Sequence, residues 1–242
     1  LINRDKSDTS KKWTSVQTNV PTAAFVGIPD VTLELNNTHF NYNAKASDNT
    51  TINYAAQNIT VSNGAGSSIL FDKGGETLEV YGNANVDLFT AVTVSGGFAF
   101  EKSTSNLKVR NSAGTLDDVN DAKMLNFGMS GVDAFVGYEG DTSIDSDDVG
   151  VQFTDINLAL VTAKDDTRTW TTVDSNIGFG GLVGMPDLEM SIADSSILVN
   201  KAASDASIID YKAMADAGNT YSVVTGTNDE GVAQEVEFSL DG

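Results

Sequence analysis

The chain has 242 residues, and its 34 Asp and Glu outnumber its 14 Lys and Arg, which gives a formal net charge of −20. Such a surface repels the phosphates of nucleic acids and of anionic lipids, so nucleic acid is not expected as a partner. The absence of Cys excludes disulfides, thiolate metal sites and cysteine nucleophiles. No apolar run approaches the length that spans a bilayer, so no membrane insertion is expected.

The residue composition favours strands and turns over helices. Asp accounts for 25 of the acidic residues and Glu for only 9. Asp, Asn, Ser and Gly suit turns, whereas Thr, Val, Ile, Phe and Tyr suit strands, and good helix formers are scarce. With 40% apolar residues, the composition predicts a folded all-β protein that has a solvated acidic exterior.

Apolar and polar residues alternate in several segments, which is the pattern of strands with one buried face. The longest alternation covers residues 78–100. In three other segments, 31–42, 125–136 and 149–160, two short alternating runs are separated by a change of phase. Each change requires a bulge, a bend or a tight turn, because otherwise the second run would face solvent.

Three architectures accommodate these changes of phase. The change is a corner of the coil in a β-solenoid, a bulge or sheet switch in a sandwich, and a hairpin turn in a meander. Long loops and strong Asn-Gly hairpin signals are missing between the paired runs. We therefore favour an elongated repeat architecture of the β-solenoid or β-helix type, with tandem β-sandwich units as the alternative.

The densest acidic segment, 139–148, lies directly before the strand predicted to begin at Val149. Carboxylates separated by small polar residues are how a loop gathers the oxygen ligands that Ca²⁺ requires. The candidate ligands are Asp141, Asp145, Asp147 and Asp148. The segment is not an EF-hand loop, because Val149 stands at the third ligand position. Two interpretations remain open, a Ca²⁺ site and a solvated acidic loop.

Two parts of the chain resemble each other at an ungapped offset of 157 positions. Residues 13–56 and 170–213 share 15 identities in 44 aligned positions, among them both tryptophans, Trp13 and Trp170. The alignment also shapes one local prediction. The only helix candidate, 207–217, aligns with a strand-like stretch of the first copy, so we predict strand plus loop there.

The repeat divides the chain into three parts. Residues 1–12 are interpreted as the tail of a preceding repeat, 13–169 as one complete repeat unit, and 170–242 as the first half of the next repeat. We therefore expect the chain to be an internal piece of a tandem array.

Few residues offer catalytic chemistry. The single His39 is replaced by Ser196 in the second copy, so neither a histidine zinc site nor a triad is expected, and His39 is interpreted as a surface strand residue. Trp13 and Trp170 are either packing anchors or sugar-stacking platforms, and their repetition at one position favours the first interpretation. No catalytic site is predicted.

Four strings carry a resemblance to known proteins, and they are residues 25–28, 94–103, 132–137 and 151–160. They resemble the tandem β-strand repeats of giant secreted or surface proteins of bacteria, the adhesin-like kind. The resemblance implies an extracellular, largely structural role, often with calcium in acidic loops. In similar repeats the acidic loop reads Asp-x-Asp-x-Asp-Gly, and here Asp145, Asp147 and Gly150 match that spacing.

Two classes of function remain open. The leading one is a secreted or cell-surface structural and adhesive module, an extender or fibre-building segment of a large protein. Its partners would be neighbouring repeats of the same chain and other surface or matrix molecules. The alternative is a carbohydrate-binding or polysaccharide-acting β-solenoid with Trp and Asp in a groove. An extender should present the same features in every unit, whereas an enzyme should concentrate unique polar residues in one cleft.

Overall fold

A computed structural model describes residues 1–57, 59–62, 64, 66–138, 148–185 and 187–242. Strands contain 65% of the described residues and helix 3%, so the predicted all-β fold is confirmed. The elements in chain order are β1 (Ile2–Arg4), β2 (Lys12–Phe25), β3 (Val31–Asn43), β4 (Ile59–Ser62), β5 (Ser68–Phe71), β6 (Thr77–Leu88), β7 (Val92–Arg110), β8 (Leu116–Tyr138), β9 (Val149–Lys164), β10 (Thr169–Val183), β11 (Ser191–Lys201), β12 (Ile208–Ile209), α1 (Tyr211–Asp216), β13 (Tyr221–Thr227) and β14 (Ala233–Phe238).

Most strands belong to one antiparallel sheet with the order β1-β2-β3-β6-β7-β8-β9-β10-β11. Neighbours in this sheet are also neighbours in sequence, except that the β4–β5 hairpin is inserted between β3 and β6. β12 pairs with the end of β7. The β13–β14 hairpin forms a separate sheet that contacts β6, β7, β8 and β9. The fold is therefore a long meander with a second layer over part of it.

The changes of phase lie inside single long strands, where a bulge absorbs them. Each of the three strands concerned has a residue with positive φ at that point, namely Asn37 at 49°, Gly131 at 53° and Asp155 at 52°. The pairing between β3 and β6 and that between β8 and β9 shift in register there. A bulge restores the alternation, so both runs of a strand present their apolar residues to one side. That side is only partly buried, contrary to the prediction, because Leu125 of β8 is 44% exposed and Val136 is 56% exposed.

The favoured β-solenoid is not confirmed. Consecutive strands pair antiparallel through hairpins and do not follow the corners of a coil. Sandwich-like packing of the small β13–β14 sheet on the large one fits the alternative architecture better. Alternation shows which residues share a face, but a corner and a bulge produce the same change of phase in a sequence.

The main core lies between the large sheet and the layer formed by α1, β13 and β14. Tyr211 and Phe238 stack with ring centroids 5.0 Å apart, and Trp170 is completely buried beside them in the same cluster. The buried members of the cluster are Leu107, Val109, Val119, Ala122, Met124, Ala159, Val161, Ala163, Trp170, Ala203, Ile209, Tyr211, Met214, Val223 and Phe238. Burial of these side chains fixes the second layer on the sheet.

The prediction of strand plus loop for 207–217 is wrong over residues 211–216, which form α1. Asp210 caps the helix, because its Oδ1 accepts a hydrogen bond of 2.8 Å from the Ala213 N–H. The cap and the helix-forming residues after it indicate a helix, but the prediction followed the alignment with the first copy, which indicated a strand. The described residues contain no helix that is long and apolar enough to cross a membrane.

Candidate functional site

A buried polar cluster joins β2, β3 and the segment after β3. Ser15 Oγ donates to Asn43 Oδ1 at 3.0 Å and shares a hydrogen bond of 2.7 Å with the Tyr54 hydroxyl. The Asn43 amide donates to the Ile52 carbonyl at 2.9 Å and to the Gly75 carbonyl at 2.8 Å. We name Ser15, Asn43 and Tyr54 the first polar cluster, and all three are buried.

A second polar cluster, formed by Thr172, Asn200 and Tyr211, reproduces the first. Thr172 Oγ1 donates to Asn200 Oδ1 at 3.1 Å and accepts from the Tyr211 hydroxyl at 2.8 Å. The Asn200 amide donates to the Ile209 carbonyl at 2.8 Å. Burial raises the pKa of Tyr211, so its phenol stays protonated and donates. Every residue of this cluster lies 157 positions after its counterpart.

The two tryptophans make the same hydrogen bond in the two copies. Trp13 Nε1 donates to the Thr50 carbonyl at 3.1 Å, and Trp170 Nε1 donates to the Ser207 carbonyl at the same distance. Their exposure differs, because Trp170 is 0% exposed in the core whereas Trp13 is partly exposed. The full-length β9 covers β10, but the three-residue β1 covers only the start of β2. Each tryptophan thus anchors the equivalent turn of its own copy, the one that ends at Thr50 in the first copy and at Ser207 in the second.

An acidic residue closes each of these turns. Asp48 accepts a hydrogen bond of 2.6 Å from the hydroxyl two residues later and pairs with Lys11 at 2.8 Å. Asp205 accepts an equivalent bond of 2.6 Å and pairs with Arg168 at 3.4 Å. The pKa of Asp48 is lowered mainly by the hydrogen bond from Lys11, and that of Asp205 mainly by the bond from Ser207. The turn therefore keeps one geometry and one charge pattern in both copies.

Both ends of the large sheet carry long open edges. β1 pairs with β2 only at Lys12–Thr14, so the rest of the outer edge of β2 has no partner strand among the described residues. β11 pairs only with β10 in the part of the chain that the structure describes. The exposed apolar side chains on and just before β11 are Leu188, Met190, Ile192, Ile197, Leu198 and Val199. Open edges with exposed apolar residues are sites where further strands add.

Most of the predicted calcium ligands lie outside the described residues. This applies to Asp141, Asp145 and Asp147. Asp148 is described, and its side chain is 1% exposed at the start of the β9 segment. An added Cβ at Gly184 would lie only 1.8 Å from the Asp148 carbonyl oxygen, so the chain just before β9 passes close to the residue that follows β10. Within the described ranges, no three potential ligands come together for a metal ion.

An open cleft of about 670 Å³ lies between the end of β7 and α1. Two ion pairs line it, Arg110 with Asp210 and Lys212 with Asp216. Burial alone would raise the pKa of Asp210, but hydrogen bonds from the Ala213 N–H and from Arg110 lower it below its usual value. Asp210 is therefore an ionised helix cap in an ion pair, which suits structural support better than proton transfer.

His39 lies on β3 and is half-buried, less exposed than the predicted surface position. Its ring stacks on Tyr81 with centroids 4.7 Å apart and an interplanar angle of 5°. Its Nε2 lies 3.2 Å from the Gly231 carbonyl oxygen. His39 thus attaches the loop between β13 and β14 to the sheet, and this contact is specific to the first copy.

Sequence reasoning aligned Tyr54 with Tyr211 but did not identify the polar clusters. The signal was available, because a hydroxyl stands at both positions 15 and 172 and an Asn at both 43 and 200. The sequence of β11, in contrast, contains no signal that this strand lies at an edge of the sheet. Whether a strand is internal or at an edge depends on which strand lies beside it, and its own alternation does not record this.

No protein-family model, curated protein or solved structure matches the chain. The adhesin-like resemblance therefore remains a prediction. The features of the described structure that bear on function are the two polar clusters, their turns and the open sheet edges.

Proposed function

We propose that the chain is a structural and adhesive extracellular repeat module, an extender or fibre-building segment of a large surface protein. The observation that supports this proposal is the recurrence of one hydrogen-bond network at a spacing of 157 positions. A reaction centre needs one set of groups around one substrate. A duplicated network of buried bonds, tight turn and ion pair instead serves the fold at both places.

The sheet shows how such a repeat would lengthen a molecule. From β2 to its counterpart β10, the sheet passes through β3, β6, β7, β8 and β9, so one repeat contributes six strands. Neighbouring strands lie about 4.8 Å apart, and six of them extend a sheet by about 29 Å. On this proposal, 13–169 is the unit that adds this length.

The segment before Trp13 supports the assignment of 1–12 to a preceding unit. Asn3 pairs with Trp13 in β1–β2 as Ala163 pairs with Trp170 in β9–β10. Asp5 then accepts the N–H of the residue two positions later at 2.7 Å, and Asp165 does the same at 2.9 Å. The first residues thus resemble the end of β9 and the start of the turn that follows it, although the loop spans residues 5–11 before β2 and only 165–168 before β10.

The carbohydrate-acting alternative has weaker support. Trp170 is buried and its N–H is used within the chain, so it offers no face for sugar stacking. Two acidic residues that line the cleft beside α1, Asp210 and Asp216, are engaged in ion pairs. The proposal therefore retains the non-enzymatic function.

Calcium and location belong to the proposal on sequence grounds. The acidic segment with Asp141, Asp145, Asp147 and Asp148 is proposed to bind Ca²⁺ and to stiffen the junction before β9. A secreted or cell-surface location follows from the proposed repeat class.

The length that a repeat adds tests the proposal. A second copy of residues 13–169 is inserted between positions 169 and 170, and the maximum dimension of both proteins is measured by small-angle X-ray scattering. We expect an increase that approaches about 29 Å, the value for a flat sheet.

Two results would contradict the proposal. One is an inserted unit that leaves the maximum dimension nearly unchanged, because the two units then pack side by side. The other is release of sugars from a panel of acidic and neutral polysaccharides by the unaltered chain, which would favour the alternative.

A further inference from the structure

The outer edge of β11 is more exposed than the same edge of its counterpart β3. Leu198 of β11 is 55% exposed, whereas Asn41, its counterpart in β3, is 5% exposed. Ile197 is 57% exposed, while its counterpart Phe40 is half-buried. β3 has a strand on each side, whereas β11 has only β10 among the described residues.

The strand that covers β3 is β6, and its pairing provides a template. The antiparallel register runs from Val31 opposite Leu88 to Asn43 opposite Thr77. At the offset of 157, the same register on β11 covers residues 188–200. The Asn43 amide also donates to the carbonyl of Gly75, just before β6, at 2.8 Å. Asn200 presents the same amide at the same end of β11.

A bulge makes the template specific. Asn37 in β3 has φ of 49°, and its counterpart Asp194 in β11 has φ of 47°. Opposite the β3 bulge stands Gly82, where a Cβ would lie 2.9 Å from Thr38 Cα. Ser195 is the counterpart of Thr38, so a strand on β11 also needs glycine at this position.

One position requires different chemistry from β6. The Glu79 carboxylate in β6 accepts from the Asn41 amide at 2.6 Å and pairs with Lys73 at 2.8 Å. On β11 the counterpart of Asn41 is Leu198, which cannot donate a hydrogen bond. A carboxylate there would be buried without a donor, so the residue opposite Leu198 should be apolar.

We propose that the outer edge of β11 is an acceptor site for one antiparallel strand of the β6 type. The strand has alternating apolar residues, a glycine opposite Ser195 and an apolar residue opposite Leu198. Its backbone pairs with β11 over residues 188–200, and its side chains cover the exposed apolar ones. This inference rests on the proposed function, because it identifies the strand by which the repeat continues.

A chain extended after Gly242 tests the site. Gly242 packs on Asp210 as Gly74 packs on Asn53, the counterpart of Asp210. Residues 75–88 with Glu79→Val are therefore appended directly to Gly242, which gives the added strand a high local concentration. Amide hydrogen exchange of residues 191–200 is followed by mass spectrometry.

The matched control carries the same extension with an additional Gly82→Val substitution. Its side chain would collide with the bulge, whereas composition and length are almost unchanged. A third protein retains Glu79 in the extension. None of these substitutions touches the folded chain, so loss of folding does not obscure the result.

We expect exchange of the amides on the outer edge of β11 to slow at least tenfold with the Glu79→Val extension. Protection should be smaller with Glu79 and should be lost with Gly82→Val. Equal exchange with and without the extension would overturn the proposal, and so would equal protection by the Gly82→Val extension. The scattering measurement on the chain with an inserted repeat tests the proposed function separately. If that chain lengthens as expected but the extension does not protect β11 from exchange, only the acceptor site is refuted.

Discussion

Thr172 lies at the centre of the second polar cluster, between Tyr211 and Asn200. Its hydroxyl accepts one hydrogen bond and donates another, and it is fully buried. In a buried site the hydrogen bonds contribute modestly to stability, but leaving one partner unpaired costs about 1–3 kcal/mol. Ser15 has the same role in the first polar cluster.

Replacing this hydroxyl should destabilise the protein without changing its shape. We expect Thr172→Val to lower the free energy of unfolding by about 1–3 kcal/mol, because the Tyr211 hydroxyl loses its acceptor. Thr172→Ser keeps the hydroxyl and should cost less. Urea unfolding of the two variants checks the prediction, which fails if Thr172→Val costs no more stability than Thr172→Ser.

Alkaline pH should weaken the fold through its buried tyrosines. Burial raises the pKa of Tyr211 and of Tyr221 above the usual value of about 10. The native state therefore keeps protons that the unfolded state loses, so this stability is present below pH 10 and falls as the pH rises beyond it. In that range, each such tyrosine lowers the free energy of unfolding by about 1.4 kcal/mol per pH unit.

Unfolding by urea between pH 8 and pH 11 measures this loss. Tyr211→Phe should make the decline with pH shallower, whereas Tyr138→Phe, at a position that is 74% exposed, should leave it unchanged. An identical pH dependence for the two variants would contradict the assignment.

The sequence located these residues only in part. The offset of 157 made Trp13 and Trp170 counterparts, and their recurring hydrogen bond is consistent with packing anchors. It did not reveal that Trp170 is buried and Trp13 partly exposed, because burial depends on strands far away in the sequence. Partners of side chains in a sheet are set by register, which a single alternating pattern leaves open.

Among the elements, the β13–β14 hairpin depends on close contact with the large sheet. An added Cβ at Gly128 in β8 would lie 2.1 Å from the Val224 carbonyl oxygen and 2.7 Å from Thr225 Cα. Gly226 in β13 approaches Gly97 in β7 in a similar way, with only 2.6 Å between an added Cβ and Gly97 Cα. Backbones can approach this closely only where at least one of the facing residues lacks a side chain.

We expect Gly128→Ala to push β13 away from the sheet and to lower the free energy of unfolding by about 1–3 kcal/mol. The control is Gly75→Ala, because an added Cβ there meets its nearest atom, Thr104 Oγ1, at 3.8 Å. Urea unfolding and hydrogen exchange of Tyr221–Thr227 report the effect. Equal stability and equal exchange in both variants would refute the close packing.

The acidic segment before β9 should respond to calcium. With four candidate aspartate ligands and a net charge of −20, a bound Ca²⁺ would relieve repulsion. At a free calcium concentration one hundred times its Kd, it would stabilise the folded state by about 2.7 kcal/mol. Thermal unfolding is compared in calcium and in chelator at equal ionic strength, for the unaltered chain and for Asp145→Ala with Asp147→Ala. We expect the response only in the unaltered chain. An equal response in both would move the site, and no response would leave a solvated acidic loop.

Strand content and the positions of phase change were predictable, whereas the connections between strands were not. Residues 31–42 showed their phase change in the sequence, and Asn37 provides it as a bulge. The helix α1 was missed, although Asp210 followed by Tyr, Lys, Ala and Met is a local signal for a capped helix. Here local chemistry in the second copy differs from that of the first, and the alignment concealed it.

At the scale of the whole molecule, the two copies of the motif lie in one continuous sheet. Six strand spacings separate β3 from β11, which sets an upper limit of about 29 Å between matching positions. A tandem sandwich with the copies face to face would bring them to roughly 10 Å. The proposed lengthening by addition of strands depends on this difference.

The distance between the two copies tests most directly whether they lie in one continuous sheet. The chain has no Cys, so spin labels attach only at Glu34→Cys in β3 and Ser191→Cys in β11, two exposed counterparts. Pulsed electron resonance should give one distance distribution, well above about 15 Å and close to the flat-sheet limit of about 29 Å. A distance below about 15 Å would mean that the copies pack face to face, and it would contradict the continuous sheet and the extender function together.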